Sequence, residues 1–366
     1  MAPQRVKSKQ RPQDAEIGSI HKSWHGRIRF ALVYPNRYHV GMSNLGFQSV
    51  YRLLNAYDHV VCERAFLPEP SRKQPPIIKT IESGKRLTDT DVIAFSLSFE
   101  NDYPHILSIL DNIGLPLQAD QRDDQHPLLI AGGVVSFLNP EPIAAFFDCF
   151  LIGEAEVILP RFLEVFEPGN KRRAMLKKIA GNVPGTYVPA FYDVDYNRDG
   201  TIAAFHPLKA VPTSIKRMYL KDLSHTATCS AILTPDTAFE QTHLVEVARG
   251  CPHGCRFCAA GYIYRPPRFR PTSALTQDID QGISQTDRIG LVGAAVSDLP
   301  GLGDLCAQYE GKDIRISFSS LRADGLSPDL LSVLKHSNVK TATIAPDAGS
   351  ERMRKVINKG ITEDEI

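Results

Sequence analysis

Short apolar runs recur along this chain, each bounded by turn residues and followed by a helical period. Ile28-Arg29-Phe30-Ala31-Leu32-Val33-Tyr34 precedes an amphipathic stretch over residues 45–54, and Val92-Ile93-Ala94-Phe95-Ser96-Leu97 precedes Ile106, Ile109, Leu110 and Ile113. Leu128-Leu129-Ile130-Ala131 runs into Gly132-Gly133, and Cys149-Phe150-Leu151-Ile152-Gly153 into a helical pattern through Val157, Phe162 and Phe166. Runs this short and apolar suit strands covered on both faces, and their alternation with helices suits a parallel sheet. The expectation is a doubly wound α/β domain. Its ligand crevice belongs at the carboxyl ends of the strands, beside the turns over residues 35–44, 98–103, 132–136 and 153–154.

Residues 181–241 change character, with many prolines, and Asn197-Arg198-Asp199-Gly200 between β-prone stretches predicts a hairpin. Beyond them, strand candidates over residues 243–248, 289–296, 314–319 and 341–345 again alternate with helical stretches. Loops following such strands converge at one end of a parallel barrel or sheet. The expected organisation is a tail over residues 1–26, an α/β domain over 27–170, a connecting region over 171–241 and a second βα domain over 242–366. With 43% hydrophobic and 23% charged residues the chain is not a disordered one, and a net charge of +1 creates no global field toward nucleic acid or an anionic membrane. No run approaches the roughly 18 to 20 apolar residues of a membrane helix, and no apolar signal core follows the polar start. The chain therefore reads as cytoplasmic.

Of seven cysteines, Cys62, Cys149, Cys229 and Cys306 stand alone, too few for a disulfide framework. Cys251, Cys255 and Cys258 lie together in Arg249-Gly250-Cys251-Pro252-His253-Gly254-Cys255-Arg256-Phe257-Cys258. A loop of this kind wraps one compact metal centre. Soft thiolates select iron–sulfur clusters, zinc or copper(I), and three ligands leave a fourth position open. Zinc, with His253 or a remote residue as fourth ligand, is the competing reading. Cys229 and Cys306 are expected to be small buried hydrophobes.

Cys-x3-Cys-x-aromatic-Cys after a barrel-type strand resembles the radical S-adenosylmethionine (radical SAM) superfamily. That resemblance implies a [4Fe-4S] cluster on Cys251, Cys255 and Cys258, with S-adenosylmethionine chelated at the open iron and reductively cleaved to a 5′-deoxyadenosyl radical. It implies that the backbone beside Phe257 faces the adenine. Gly293, within Leu291-Val292-Gly293-Ala294-Ala295-Val296-Ser297-Asp298, falls where relatives receive the methionine amino group, but the acidic residue directly after the glycine is missing. Asp347, in Ala345-Pro346-Asp347-Ala348-Gly349, stands where a subset of relatives carries Glu; the alternative is a cap of the following helix. Ser317 and Ser319 are candidate substrate contacts. Arg322, Glu351 and Arg352 read as helix-surface ion pairs.

The amino-terminal domain resembles the cobalamin-binding domain that often precedes this barrel, which allows cobalamin as a further cofactor. Domains that ligate cobalt through histidine carry Asp-x-His-x-x-Gly after the first strand. Here Asn36-Arg37-Tyr38-His39-Val40-Gly41 places His39 one residue too close to Gly41 and lacks the Asp. Cobalamin, if bound, is expected without histidine ligation and with Gly132-Gly133 and Ser96 or Ser98 along its nucleotide tail. The opposing expectation is a sheet used only for a substrate or a partner.

Residues 34–48, Glu246-Val247-Ala248-Arg249-Gly250-Cys251 and Asn358-Lys359-Gly360-Ile361-Thr362 together resemble a bacterial radical-enzyme family with this domain order. The barrel so implied has six βα units against four strand candidates here, and the sequence stops in a helix start. The expectation is an incomplete radical SAM barrel, with the remaining strands supplied by a separate chain. Reductive cleavage also implies a one-electron donor of flavodoxin or ferredoxin type. Two further readings stand beside it. One is a cobalamin-assisted methyl or methylthio transferase acting on RNA or protein; the other is a metal-stapled binding module without catalysis.

Overall fold

The computed structural model describes residues 15–69, 76–208, 211–319, 321–336 and 343–366. The chain divides into unit 1, Met1–Leu220 with Thr234–Glu240, and unit 2, Lys221–Leu233 with Gln241–Ile366.

In unit 1, β1 (Ile28–Arg37), β2 (Val60–Leu67), β3 (Val92–Ser96), β4 (Leu128–Gly132), β5 (Cys149–Leu151) and β6 (Thr186–Tyr187) form one sheet in the order β2-β1-β3-β4-β5-β6. Every pairing is parallel except that of β5 with β6. Phe30 to Tyr34 are all buried, so β1 is covered on both faces, as its unbroken apolar run requires. Helices α1 (Tyr38–Met42), α2 (Leu45–Asn55), α3 (Tyr103–Asn112), α4 (Val134–Leu138) and α5 (Ala155–Val165) occupy the crossovers, followed by α6 (Arg172–Asn182). The direction of winding reverses between β1 and β3, which makes the loops after those strands the walls of the crevice. The predicted turn at Asn197–Gly200 joins β7 (Tyr192–Tyr196) to β8 (Ile202–Pro207) in an antiparallel hairpin.

In unit 2, β9 (His243–Glu246), β12 (Arg288–Val292) and β13 (Arg315–Phe318) form a parallel sheet in the order β13-β12-β9. Between them, β10 (Ala248–Arg249) pairs antiparallel with β11 (Arg268–Phe269). Helices α7 (Ala260–Ile263), α8 (Thr272–Ile283), α9 (Leu302–Ala307), α10 (Pro328–His336) and α11 (Glu351–Val356) complete the βα alternation. Leu275 and Ile279, one turn apart on α8, pack in a core with Val245, Ile289, Leu291, Leu305 and Ile316.

The strand after α8 is shorter than its apolar run predicts. The Ser319 hydroxyl takes both main-chain polar groups of Gly293, accepting from its N–H at 3.2 Å and donating to its carbonyl at 2.9 Å, and this ends the ladder at Val292. Residues 341 and 342 of the fourth predicted strand lie outside the described residues, while Ile344 makes a parallel bridge with Leu321. Among the described residues no helix is long and apolar enough to cross a membrane.

Candidate functional site

The cysteine loop leaves the sheet through Gly250, whose φ of +82° suits a residue without a side chain; a Cβ there would stand 2.5 Å from the Tyr264 carbonyl oxygen. Beyond it the thiols of Cys251 and Cys258 are half-buried and that of Cys255 is buried, all three free. Burial pushes the Cys251 thiol up, the His253 N–H opposes that, and the charges of Asp298, Cys255 and Cys258 add to it. The three cysteines are thus electrostatic neighbours.

What lies between the thiols is tied elsewhere. His253 Nε2 meets Asp298 Oδ2 at 2.6 Å. The Gly254 carbonyl accepts from Tyr262 OH at 3.1 Å and from Asn358 Nδ2 at 2.7 Å. Arg256 donates its backbone N–H to the Ile357 carbonyl at 2.9 Å and its guanidinium to the Val356 carbonyl at 2.7 Å. Among the described residues no three His, Cys, Asp or Glu side chains converge on one ion.

Phe257 sits in this loop and is 54% exposed. Gly293 is placed after β12, but its N–H and carbonyl are both engaged with Ser319. Ser317 donates to the Ile289 carbonyl at 3.3 Å. Asp347 has φ +63° and pairs with Lys359 Nζ at 2.6 Å. It does not cap α11. Ser350 does, accepting from Met353 N at 3.3 Å. Glu351 forms an i,i+4 pair with Lys355.

Arg322 corrects the expectation of a helix-surface ion pair. It is 8% exposed, grips both oxygens of Asp324 at 2.9 and 2.6 Å, and donates to the Lys359 carbonyl. Burial works against its charge, and the Asp324 carboxylate more than offsets that, with Asp298 and Cys255 contributing. Cys229 and Cys306 are buried, and burial pushes the Cys306 thiol up to about 12. Cys306 does not resemble a ligand poised to ionise.

Asp298 and Asn358 are the loop-holding residues that sequence reasoning left without a role. The signal available was only their presence at the ends of two quoted motifs; their partners lie 45 and 104 residues away.

In unit 1 the crevice loops are bonded to each other. Asn36 Nδ2 donates to Asp102 Oδ1 at 2.8 Å, Asn44 Nδ2 to Ser98 Oγ at 3.0 Å, and His105 Nδ1 lies 2.9 Å from the Pro35 carbonyl. His39 is exposed on α1. Gly133 has φ +108°, and a Cβ on it would meet the Leu97 carbonyl oxygen at 2.3 Å, so this glycine accommodates a neighbouring strand end. Two of the residues expected along a nucleotide tail, Ser98 and Gly133, are thus committed to protein contacts.

Comparison with known proteins adds to this geometry. Residues 46–189 match the model of the N-terminal region of radical SAM proteins, and residues 245–366 match that of the radical SAM superfamily. The uncharacterized protein MJ0966 of Methanocaldococcus jannaschii is 31% identical over 341 residues, which cover 92% of this chain and 64% of that protein. The radical S-adenosylmethionine methyltransferase TsrM from Kitasatospora setae, solved with tryptophan and a SAM analogue bound, is 11% identical with a TM-score of 0.53 over 92% of this chain and 62% of that one. The chain thus spans under two thirds of the length of either protein. At that identity the likeness to TsrM is one of fold: an α/β domain with a mostly parallel sheet preceding a radical SAM domain. With a cysteine loop at the exit of a βα sheet, and with matching models on both of its units, this chain belongs to the radical SAM superfamily.

Proposed function

We propose that this chain is a radical SAM enzyme whose Cys251, Cys255 and Cys258 hold a [4Fe-4S] cluster with an open iron for S-adenosylmethionine. The observation that carries the reading is the division of labour in the loop. The charges of Cys255 and Cys258 act on the Cys251 thiol, while His253, Gly254 and Arg256 are each bonded to residues outside the three-cysteine stretch. When bound, such a cluster passes one electron to the sulfonium of S-adenosylmethionine and starts radical chemistry on a substrate. Within the chain, Asp298 and Asn358 orient the loop, and exposed Phe257 offers an apolar face to the adenine. The reducing electron comes from a one-electron donor of flavodoxin or ferredoxin type.

The test is anaerobic reconstitution followed by electron paramagnetic resonance of the reduced chain. The expected result is a [4Fe-4S] signal that S-adenosylmethionine perturbs, and cleavage to 5′-deoxyadenosine that falls to background in Cys251→Ala, Cys255→Ala and Cys258→Ala. Undiminished cleavage in any of the three variants would falsify the ligand assignment.

A second reading, methyl or methylthio transfer onto RNA or protein, draws support from the fold shared with TsrM. Formation of S-adenosylhomocysteine in step with product would favour it. Histidine-ligated cobalamin does not fit unit 1: His39 is exposed, and two residues before it, where the ligating motif has Asp, stands Arg37. No step is derived through it.

A further inference from the structure

We propose that Asn358 is a positioning residue for the cysteine loop, its side-chain amide holding the backbone between Cys251 and Cys255 in place before any cluster is present. The role for the cluster rests on the function proposed above; the latch itself does not. Asn358 follows α11 with φ +56°, a left-handed conformation that Asn adopts more readily than most side chains. This turn sends its Nδ2 to the Gly254 carbonyl at 2.7 Å. The same nitrogen lies 3.2 Å from where a Cβ on Gly254 would stand, so the glycine lets the amide approach. Two preceding residues join the latch: the carbonyls of Val356 and Ile357 accept the side chain and backbone of Arg256. Three consecutive residues leaving α11 therefore hold the stretch between the first and third thiols.

The anchor of this latch is Arg354, 1% exposed. Its guanidinium donates to the carbonyls of Ile361 at 2.8 Å and Ala348 at 3.1 Å and pairs with Glu363, closing the segment around α11. The helix end needs nothing from the Asn358 side chain, because the N–H groups of Ile357 and Asn358 return to the carbonyls of Met353 and Lys355. That side chain serves the loop, and this gives the Asn358-Lys359-Gly360 motif a physical task.

The test uses the full apo chain with thiols reduced and compares hydrogen exchange in the wild type, Asn358→Asp and Asn358→Gly. Both replacements tolerate the left-handed backbone and remove the amide donor. Amides 253–258 are expected to exchange about tenfold faster in both variants, the amount one lost hydrogen bond permits, with α11 equally protected. After anaerobic reconstitution at equal iron content, the variants need severalfold more S-adenosylmethionine to perturb the reduced-cluster signal. Loop exchange within about twofold of wild type in both variants, or loosening of α11 together with the loop, overturns the latch. An unchanged nucleotide response at equal iron content overturns the positioning role. If the wild-type chain assembles no cluster, the proposed function fails while the exchange experiment still decides the latch.

Discussion

Arg64 lies in the middle of β2 with a side chain 1% exposed, between Glu16 at 2.7 Å and Glu82 at 2.6 Å, and over the Tyr51 ring at 4.9 Å. Its neighbour Glu63 accepts from Trp24 Nε1 and Ser83 Oγ. This explains why β2 was not legible in the sequence. A Glu-Arg pair at the centre of a run argues against a buried strand unless its partners, far away in sequence, are known. Burial pushes the Glu82 carboxyl up, and Arg64 opposes this. Arg64→Ala leaves two buried carboxylates without a counter-charge, so urea unfolding at pH 7 should show a loss of about 3–5 kcal/mol. The sign of its pH dependence follows. The Glu82 carboxyl, its folded pKa raised, contributes its full stability at low pH and loses that contribution as pH rises through the folded pKa. The deficit of the variant should therefore shrink on going from pH 7 to pH 5. A deficit that is the same at both pH values would assign the loss to packing alone.

Among the elements, α2 was the most legible, predicted over residues 45–54 and found at Leu45–Asn55. Its apolar period is a local signal. Asn44 serves two partners: its Oδ1 accepts from Phe47 N at 2.8 Å, capping the helix, and its Nδ2 donates to Ser98 Oγ across the crevice. Neither bond was read from the sequence, and the one across the crevice could not be, because Ser98 belongs to the loop of another strand. Asn44→Ala removes both and should cost about 1–2 kcal/mol in denaturant titration, whereas Asn44→Asp keeps the cap and should cost less. Equal losses would mean that the bond to Ser98 carries the effect. The same contrast runs through unit 2. The βα alternation and the three thiols are local patterns, while Asp298, Asn358 and buried Arg322 act only through the fold.

At the scale of the whole molecule, both units bury groups that ionise in alkali. Unit 1 holds Cys62, Cys149, Tyr51 and Tyr187, whose pKa values burial pushes up; unit 2 holds Cys306 and Tyr309, each pushed up to about 12. Below the ordinary thiol pKa these groups are protonated folded or unfolded, and their contribution is intact. Above it the unfolded chain gives up protons that the folded chain keeps, so stability falls as pH rises toward the folded values. Each buried thiol should lose about 2 kcal/mol at pH 10.5. Because such groups lie in both units, denaturant unfolding followed by tryptophan fluorescence for unit 1, where the chain's one Trp, Trp24, resides, and by far-ultraviolet circular dichroism for the whole chain should show both signals shifting to lower midpoint between pH 8 and pH 10.5. A circular-dichroism transition that keeps one component at its pH 8 midpoint while the fluorescence transition shifts would mean that Cys306 and Tyr309 are reached by solvent before unit 2 unfolds. In that event the core behind α9 opens locally, and the sheet that presents the cysteine loop is less rigid than its packing implies.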